Sequence, residues 1–298
     1  MSATNGQPAR HSGTFTIGDD LTVYRLGFGA MRLTGQGIWG PPADKDECLA
    51  VLHRALDLGI NLIDTADSYG PNVSEELIAD ALYPYPKDLV IATKGGLLRT
   101  GPGQWPLDGR PKHLREALEG SLKRLRVDTI DVYQFHRPDP EVPFEDSVGE
   151  ISKMKKEGKI RHVGLSNITV EELEQARKIV PIVSVQNRYN LANRESERMT
   201  AARSEEMIDI CDREGIGYIP WSPLAFGNLA RPGGQLDRIA RNHNAQPSQI
   251  ALAWLLKRSG TMLPIPGTSS VKHLEENTLG ATIQLSQEEF DAIDQTAQ

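Results

Sequence analysis

One regularity constrains this chain more than any other: short β-prone runs alternate with longer stretches of helical periodicity from Arg25 to the C-terminus. The runs lie at Arg25–Gly29, Asn61–Asp64, Leu89–Thr93, Ile130–His136, Ile160–Leu165, Ile182–Gln186, Gly217–Trp221 and Met262–Ile265. Between them apolar residues recur at helical spacing, as in Cys48, Val51, Leu52, Ala55 and Leu56, or Leu114, Leu118, Leu122 and Leu125. Three of these segments stop at a glycine, Gly59, Gly158 and Gly215, where a left-handed residue ends a helix. Each crossover returns the chain to the same end of the sheet, so the strands are all parallel. Eight units suit a closed α/β structure, a (β/α)8 TIM barrel, better than an open sheet. Phe15–Ile17 and Leu21–Val23, joined by Gly18-Asp19-Asp20, predict an N-terminal β-hairpin. Leu285–Ala297 predicts an extra C-terminal helix that starts at Ser286.

No linker, low-complexity tract or change of composition divides the 298 residues, so one barrel domain over 1–298 is expected, with residues 1–13 flexible. With 33 basic and 40 acidic residues the net charge is −7, which argues against a nucleic-acid partner. The most apolar helical run, Ile250–Leu256, is too short to span a bilayer, so no membrane partner is expected. Residues 1–13 lack the apolar centre of a secretory signal, and Cys48 and Cys211 are the only cysteines. A reduced, cytoplasmic setting is the expectation.

A barrel of this kind carries its chemistry at the C-terminal ends of its strands. The stretch Asn61–Gly70, NLIDTADSYG, places Asp64, Asp67 and Tyr69 directly behind an apolar strand end. Lys94 follows the third run, with Gly95-Gly96 behind it, and His136 ends the fourth. A phenol with an ordinary pKa near ~10 is a poor acid at neutral pH. A neighbouring ammonium favours the phenolate, and a carboxylate beyond the lysine keeps that lysine charged. An imidazole on the other side of the phenol can orient a carbonyl oxygen. Asp64, Tyr69, Lys94 and His136 therefore form a set able to protonate an oxyanion, a contribution on the order of 10²–10⁴ in rate.

The segments LGFGAMRL, NLIDTADSYG, LVIATKGG, DVYQFHRPD, VGLSN, VQNRYN, PWSPLAFG and PIPGTSSVKHLEEN occur in the order and spacing of the aldo-keto reductase superfamily, which this chain resembles from Arg25 to about Asn277. The resemblance implies a reductase of aldehydes or ketones acting on a small-molecule carbonyl substrate. Tyr69 would be the general acid, Lys94 its pKa-lowering neighbour, Asp64 the partner of the lysine, and His136 the residue that positions the carbonyl. It implies NADP(H) as cofactor, preferred over NAD(H). Ser166, Asn167 and Gln186 match positions that hold the nicotinamide carboxamide, and Trp221 the position of a stacking ring. Gly29, Ala30, Met31 and Asp64 count among the cofactor contacts. Ser222, Pro223, Leu224 and Gly227 fall along the pyrophosphate path. Gly267, Thr268, Ser269 and Ser270, then His273, Glu276 and Asn277, fall at the adenosine end.

There the residues also speak for themselves. Thr268–Ser270 open a helix whose free N–H groups would suit a 2′-phosphate. The chain departs from the best-known members in having Gly267 for a lysine and His273 for an arginine, so fewer charges meet that phosphate; Lys272 is a candidate to supply one. It also stops soon after the last helix, so the pocket walls are expected from barrel loops, with Trp39, Trp105 and Phe226 as candidates and Met31 beside them.

Two rival readings use the same residues. One is a non-enzymatic, NADP-sensing partner subunit on the same fold. The other is a barrel hydrolase using Asp64 or Asp67 with Asp139 or Glu141. Gly27-Phe28-Gly29 begins a dinucleotide fingerprint, but Arg32 stands where its third glycine belongs. The histidines lack zinc-ligand spacing, so no metal is expected, and no GxSxG nucleophile elbow is present.

Overall fold

The computed structural model describes residues 6–195, 198–230 and 234–295. The hairpin is present, β1 (Thr14–Ile17) pairing antiparallel with β2 (Leu21–Tyr24). The main sheet is parallel and runs in sequence order: β3 (Phe28–Gly29), β4 (Leu62–Asp64), β5 (Val90–Gly95), β6 (Ile130–Phe135), β7 (Ile160–Ser166), β8 (Ile182–Arg188) and β9 (Gly217–Trp221).

The eighth expected run, Met262–Ile265, shows only one regular bridge, Tyr218 to Met262, yet it is the stave that closes the barrel. Tyr218 N–H donates to Thr261 O (2.9 Å) and Leu263 N–H to Tyr218 O (2.8 Å) on one side. On the other, Gly27 N–H donates to Pro264 O (3.0 Å) and Gly29 N–H to Pro266 O (3.4 Å). Pro264 and Pro266 have no N–H to give back, so the ladder is one-sided while the stave itself is in place.

Helices α1 (Lys45–Asp57), α2 (Val73–Leu82), α3 (Pro111–Leu125), α4 (Phe144–Lys156), α5 (Val170–Arg177) and α6 (Ala201–Glu214) follow the first six staves. Helices α7 (Gly234–Asn242) and α8 (Pro247–Arg258) both follow β9, α9 (Val271–Leu279) follows the eighth stave, and α10 (Gln287–Gln295) is the extra C-terminal helix. Ser286 and Glu289 cap α10 reciprocally: Glu289 N–H donates to Ser286 Oγ (3.1 Å) and Ser286 N–H to Glu289 Oε2 (2.9 Å). Residues 296 and 297 of the expected helix lie outside the described residues.

Within residues 1–13, the described part packs against the barrel. Pro8–Ser12 is a 3-10 turn with Ala9 fully buried. Ala9 N–H donates to Leu58 O (3.1 Å), while Ser12 Oγ donates to Ala9 O (2.6 Å) and accepts from Leu26 N–H (3.0 Å). An apolar methyl and a doubly used hydroxyl hold this lead-in against the barrel. Residues 1–5 lie outside the described residues.

The core has two parts. One packs helices against the outside of the staves, with Leu118, Ile151, Val163 and Leu252 among its members. The other fills the barrel: Ile17 and Val23 of the hairpin sit beneath Leu62, Val90, Val132 and Leu263, so the hairpin is the floor. Side chains two apart along a strand share a face. The inward row that is apolar at Leu62, Ala92 and Val132 therefore becomes Asp64, Lys94 and Gln134 one step nearer the open end. Parallel register sets these level, Asp64 beside Ala92 and Lys94 beside Gln134.

Candidate active site

Asp64, Tyr69, Lys94 and His136 meet at that open end, from three neighbouring staves. Lys94 lies on β5 and is fully buried. Its Nζ donates to Asp64 Oδ1 (2.5 Å), to Thr65 O (2.8 Å) and to Tyr69 Oη (3.3 Å). These three acceptors use its three protons, so a buried ammonium is left with nothing unpaired. Asp64 is held from its other side: Oδ2 accepts from Gln134 Nε2 (2.9 Å) and Gln186 Nε2 (2.8 Å), and Gln186 also donates to Gln134 Oε1 (3.1 Å).

The loop bearing Tyr69 is tied to β5 by its backbone. Thr65 N–H donates to Ala92 O (2.8 Å) and Asp67 N–H to Lys94 O (3.2 Å), and Ser74 N–H donates to Tyr69 O (3.1 Å) at the start of α2. Gly70 adopts φ +107°, and a Cβ there would sit 2.4 Å from Val73 Cβ, so the turn that aims Tyr69 inward requires glycine. Tyr69 is 7% exposed, and its ring stands edge-on to His136 at 5.9 Å between centroids. His136 Nδ1 lies 3.4 Å from Ser68 Oγ.

Burial and charge compete at each group. Burial pushes the Tyr69 phenol up; Lys94 pulls it down and Asp64 pushes it up again, so the net direction is upward. The ammonium thus acts in the expected direction but is outweighed by desolvation, and Tyr69 keeps its proton at neutral pH. Burial pulls the Lys94 ammonium down, but Asp64 and Tyr69 more than reverse this, so lysine is cationic. Burial, with Lys94 and Arg137, holds His136 well below the usual histidine range, so its imidazole is neutral.

Trp39 and Trp105 both lie against Arg99, a residue that no sequence motif singles out. The Arg99 guanidinium lies 3.6 Å from the Trp105 ring centroid and 5.5 Å from that of Trp39. It donates to Ser68 O (2.8 Å), Gln104 O (3.0 Å) and Gly37 O (3.1 Å), binding three loops together beside Tyr69. Trp105 in turn meets Tyr69 edge-on at 6.4 Å. Phe226 packs against other groups. It is 58% exposed, 6.5 Å from the Trp221 ring and 5.8 Å from the Arg32 guanidinium. Met31 is half-buried in the 3-10 turn Ala30–Leu33.

Ser166, Asn167, Gln186 and Trp221 come together at the ends of β7, β8 and β9. Asn167 adopts φ +56°; its Nδ2 donates to His136 O (3.1 Å) and Ser166 Oγ (3.0 Å), and its Oδ1 accepts from Trp221 Nε1 (3.0 Å). The indole plane is thereby locked while the ring stays partly open. Ser222, Ala225, Phe226 and Gly227 all take positive φ, making a tight turn over Ser222–Gly227, and Pro223 is buried there with Leu224 partly so. Gly29 and Gly267 abut, a Cβ on Gly267 falling 2.4 Å from Gly29 O. Ala30 is buried, and its carbonyl accepts from Ser74 Oγ (3.3 Å).

At the start of α9, Ser269 and His273 are exposed, Thr268 and Asn277 buried, and Glu276 half-buried. The N–H groups here are not all free, as the sequence suggested. Ser270 N–H donates to Thr268 Oγ1 (3.1 Å) and Val271 N–H to Glu47 Oε1 (2.9 Å), a carboxylate brought in by α1. Lys272 is exposed and 3.9 Å from Glu276.

The geometry is that of a known family. Residues 25–298 match the aldo/keto reductase family, and the chain belongs to it. It is 53% identical over 294 residues to an uncharacterised oxidoreductase of Schizosaccharomyces pombe, covering 99% of this chain and 93% of that one. It is 42% identical to pyridoxine 4-dehydrogenase of Escherichia coli, over 95% of this chain and 98% of the relative. Among solved structures it superposes with a TM-score of 0.77 on an aldo/keto reductase from Klebsiella pneumoniae in complex with NADP and acetate, at 25% identity and with 95% of each chain covered. Among the described residues no helix is long and apolar enough to cross a membrane.

Proposed function

We propose that this protein reduces an aldehyde or ketone to the alcohol with NADPH, Tyr69 donating the proton. The observation that carries this reading is the Tyr69 hydroxyl 3.3 Å from an ammonium that is itself held at 2.5 Å by Asp64. The reduced nicotinamide, when bound, supplies the hydride. Tyr69 gives its phenolic proton to the carbonyl oxygen as charge builds there, and Lys94 stabilises the phenolate left behind. His136 is neutral; in the tautomer that accepts the Ser68 hydroxyl at Nδ1, its Nε2–H can hydrogen-bond the same oxygen. Positioned donors of this kind act where the charge develops.

The residues at the ends of β7 to β9 suit a nicotinamide nucleotide: an indole locked by Asn167, a hydroxyl at Ser166, and a tight turn at Ser222–Gly227. Asn167 and Gln186 already spend their amide N–H groups within the protein, so a carboxamide there is held by exchange for those bonds. The NADP complex of the Klebsiella relative supports NADP(H) over NAD(H). The 42% identity to pyridoxine 4-dehydrogenase and the indoles of Trp39 and Trp105 against Arg99 favour a flat, pyridoxal-like aldehyde. The hydrolase alternative is weakened at two of its four acids: Asp64 is spent on Lys94, and Asp139 accepts from the N–H groups of Gly109 (3.0 Å) and Glu141 (3.0 Å).

With NADPH and pyridoxal the protein should consume cofactor and form the alcohol. Tyr69→Phe should lower kcat at least about 100-fold while its Kd for NADPH stays within about twofold. A Phe variant with wild-type kcat would show that another group donates the proton. Tight NADPH binding without turnover on any carbonyl would instead favour the cofactor-sensing alternative.

A further inference from the structure

Behind the Tyr69–Lys94 pair lies a second carboxyl that the reaction as described does not use. Asp67 is 7% exposed, and among the described residues its Oδ1 has no hydrogen-bond partner. Its own N–H is bonded to the carbonyl of Lys94, so it is anchored to the same stave as the ammonium. The charges around it are already matched. Lys94 belongs to Asp64. Arg124, from α3, belongs to Glu75 of α2: Nε donates to Oε2 at 2.7 Å, and Thr93 Oγ1 donates to the other Glu75 oxygen at 2.5 Å. Tyr133, from β6, contributes only a buried phenol that senses both acids. Two cations for two anions leave no counter-charge for a third, and an unpaired buried carboxylate is costly.

We propose that Asp67 is a positioning residue that works as the neutral acid, and that its ionisation weakens Tyr69 as a proton donor. Burial, then Glu75, push the Asp67 carboxyl up to about 8, with Arg124, a hydrogen bond from the Ser68 N–H and Lys94 pulling the other way. Once ionised, Asp67 adds negative charge beside the phenol and draws on the field of Lys94, and both effects hold the phenolic proton more tightly. Reduction should therefore fall on the alkaline side with an apparent pKa near that of Asp67, well below the pKa of the phenol itself.

The inference rests on the reading of Tyr69 as donor, and two arms separate the two. In the first, pH profiles of kcat with NADPH and pyridoxal are compared for wild type, Asp67→Asn and Glu75→Gln, each scaled to its own plateau. Asp67→Asn removes the titration and should move the alkaline limb up by at least one pH unit. Glu75→Gln removes the anion that pushes Asp67 up, favours ionised Asp67 and should move the limb down. Opposite shifts are not produced by a merely structural role; limbs that coincide, or that shift the same way, overturn the proposal. In the second arm, infrared spectra of the cofactor-free protein should show a protonated-carboxyl band at pH 6.5 that fades by pH 9.5 and is missing in Asp67→Asn. Without that band the proposal fails, whether or not turnover is seen. If the band titrates and no carbonyl is turned over at any pH, the failure belongs to the assigned reaction. If Asp67→Asn does not fold, the Glu75→Gln shift and the titration of the wild-type band decide.

Discussion

Glu47 brings a negative charge to the end of α9 where a nucleotide phosphate is expected, and it already occupies the N–H of Val271. A 2′-phosphate placed there meets a carboxylate as well as the positive end of a helix. Glu47→Gln keeps an acceptor for Val271 and removes the charge, a change worth roughly 0.5–1.4 kcal/mol near a helix terminus. The variant should bind NADPH about 2- to 10-fold more tightly, with NADH binding unchanged, as read by fluorescence titration of both. Equal shifts for the two cofactors would show that the carboxylate does not face the phosphate. At this scale the four proton-handling residues were legible because strand ends exposed them as titratable groups in an apolar context. Gln134 and Arg99 were not. Gln134 is an uncharged residue inside DVYQFH, and only its inward parity with His136 hints at a role. Arg99 gathers three loops that are distant in sequence, a property no local pattern carries.

Among the elements, the first and eighth staves meet along a seam of close backbone approach. A Cβ on Gly29 would fall 2.6 Å from Ile265 O, against backbone that cannot yield without opening the barrel. Gly29→Ala should cost roughly 1–3 kcal/mol, read as a lower urea midpoint. Gly149, within α4, has nothing within 4 Å of its would-be Cβ, and Gly149→Ala should gain about 0.5–1 kcal/mol from helix propensity. Equal responses at the two sites would mean that the seam is not under steric constraint. The alternation of runs made the staves and helices readable, and the glycine stops placed three helix ends correctly. The eighth stave was readable as a run but not as a ladder, since its two prolines remove the donors that define regular pairing.

For the whole molecule, Asp67 couples protonation to stability. Its carboxyl is raised from the ordinary 3.8 to about 8 in the folded protein, so the native state holds a proton that the unfolded chain has released. The stabilisation is complete below pH ~4 and is lost as pH rises towards ~8, at up to about 1.4 kcal/mol per pH unit from this one group. Wild type should therefore lose urea stability relative to Asp67→Asn between pH 5 and 8, and the two curves should run parallel above pH 9. Parallel curves throughout would mean that Asp67 is ionised in the fold. By itself, the sequence determined the parallel barrel, its N-terminal hairpin, its extra helix and the residue types at its mouth, because periodicity and strand-end chemistry are local and repeat along the chain. Only the tertiary structure decided that three staves bring an acid, an amine, a phenol and an imidazole into contact. It alone also decided that burial outweighs Lys94 at Tyr69, and that Glu47 reaches a helix more than two hundred residues away. Desolvation and charge pairing depend on what surrounds a group in space, and spacing along a chain does not contain that.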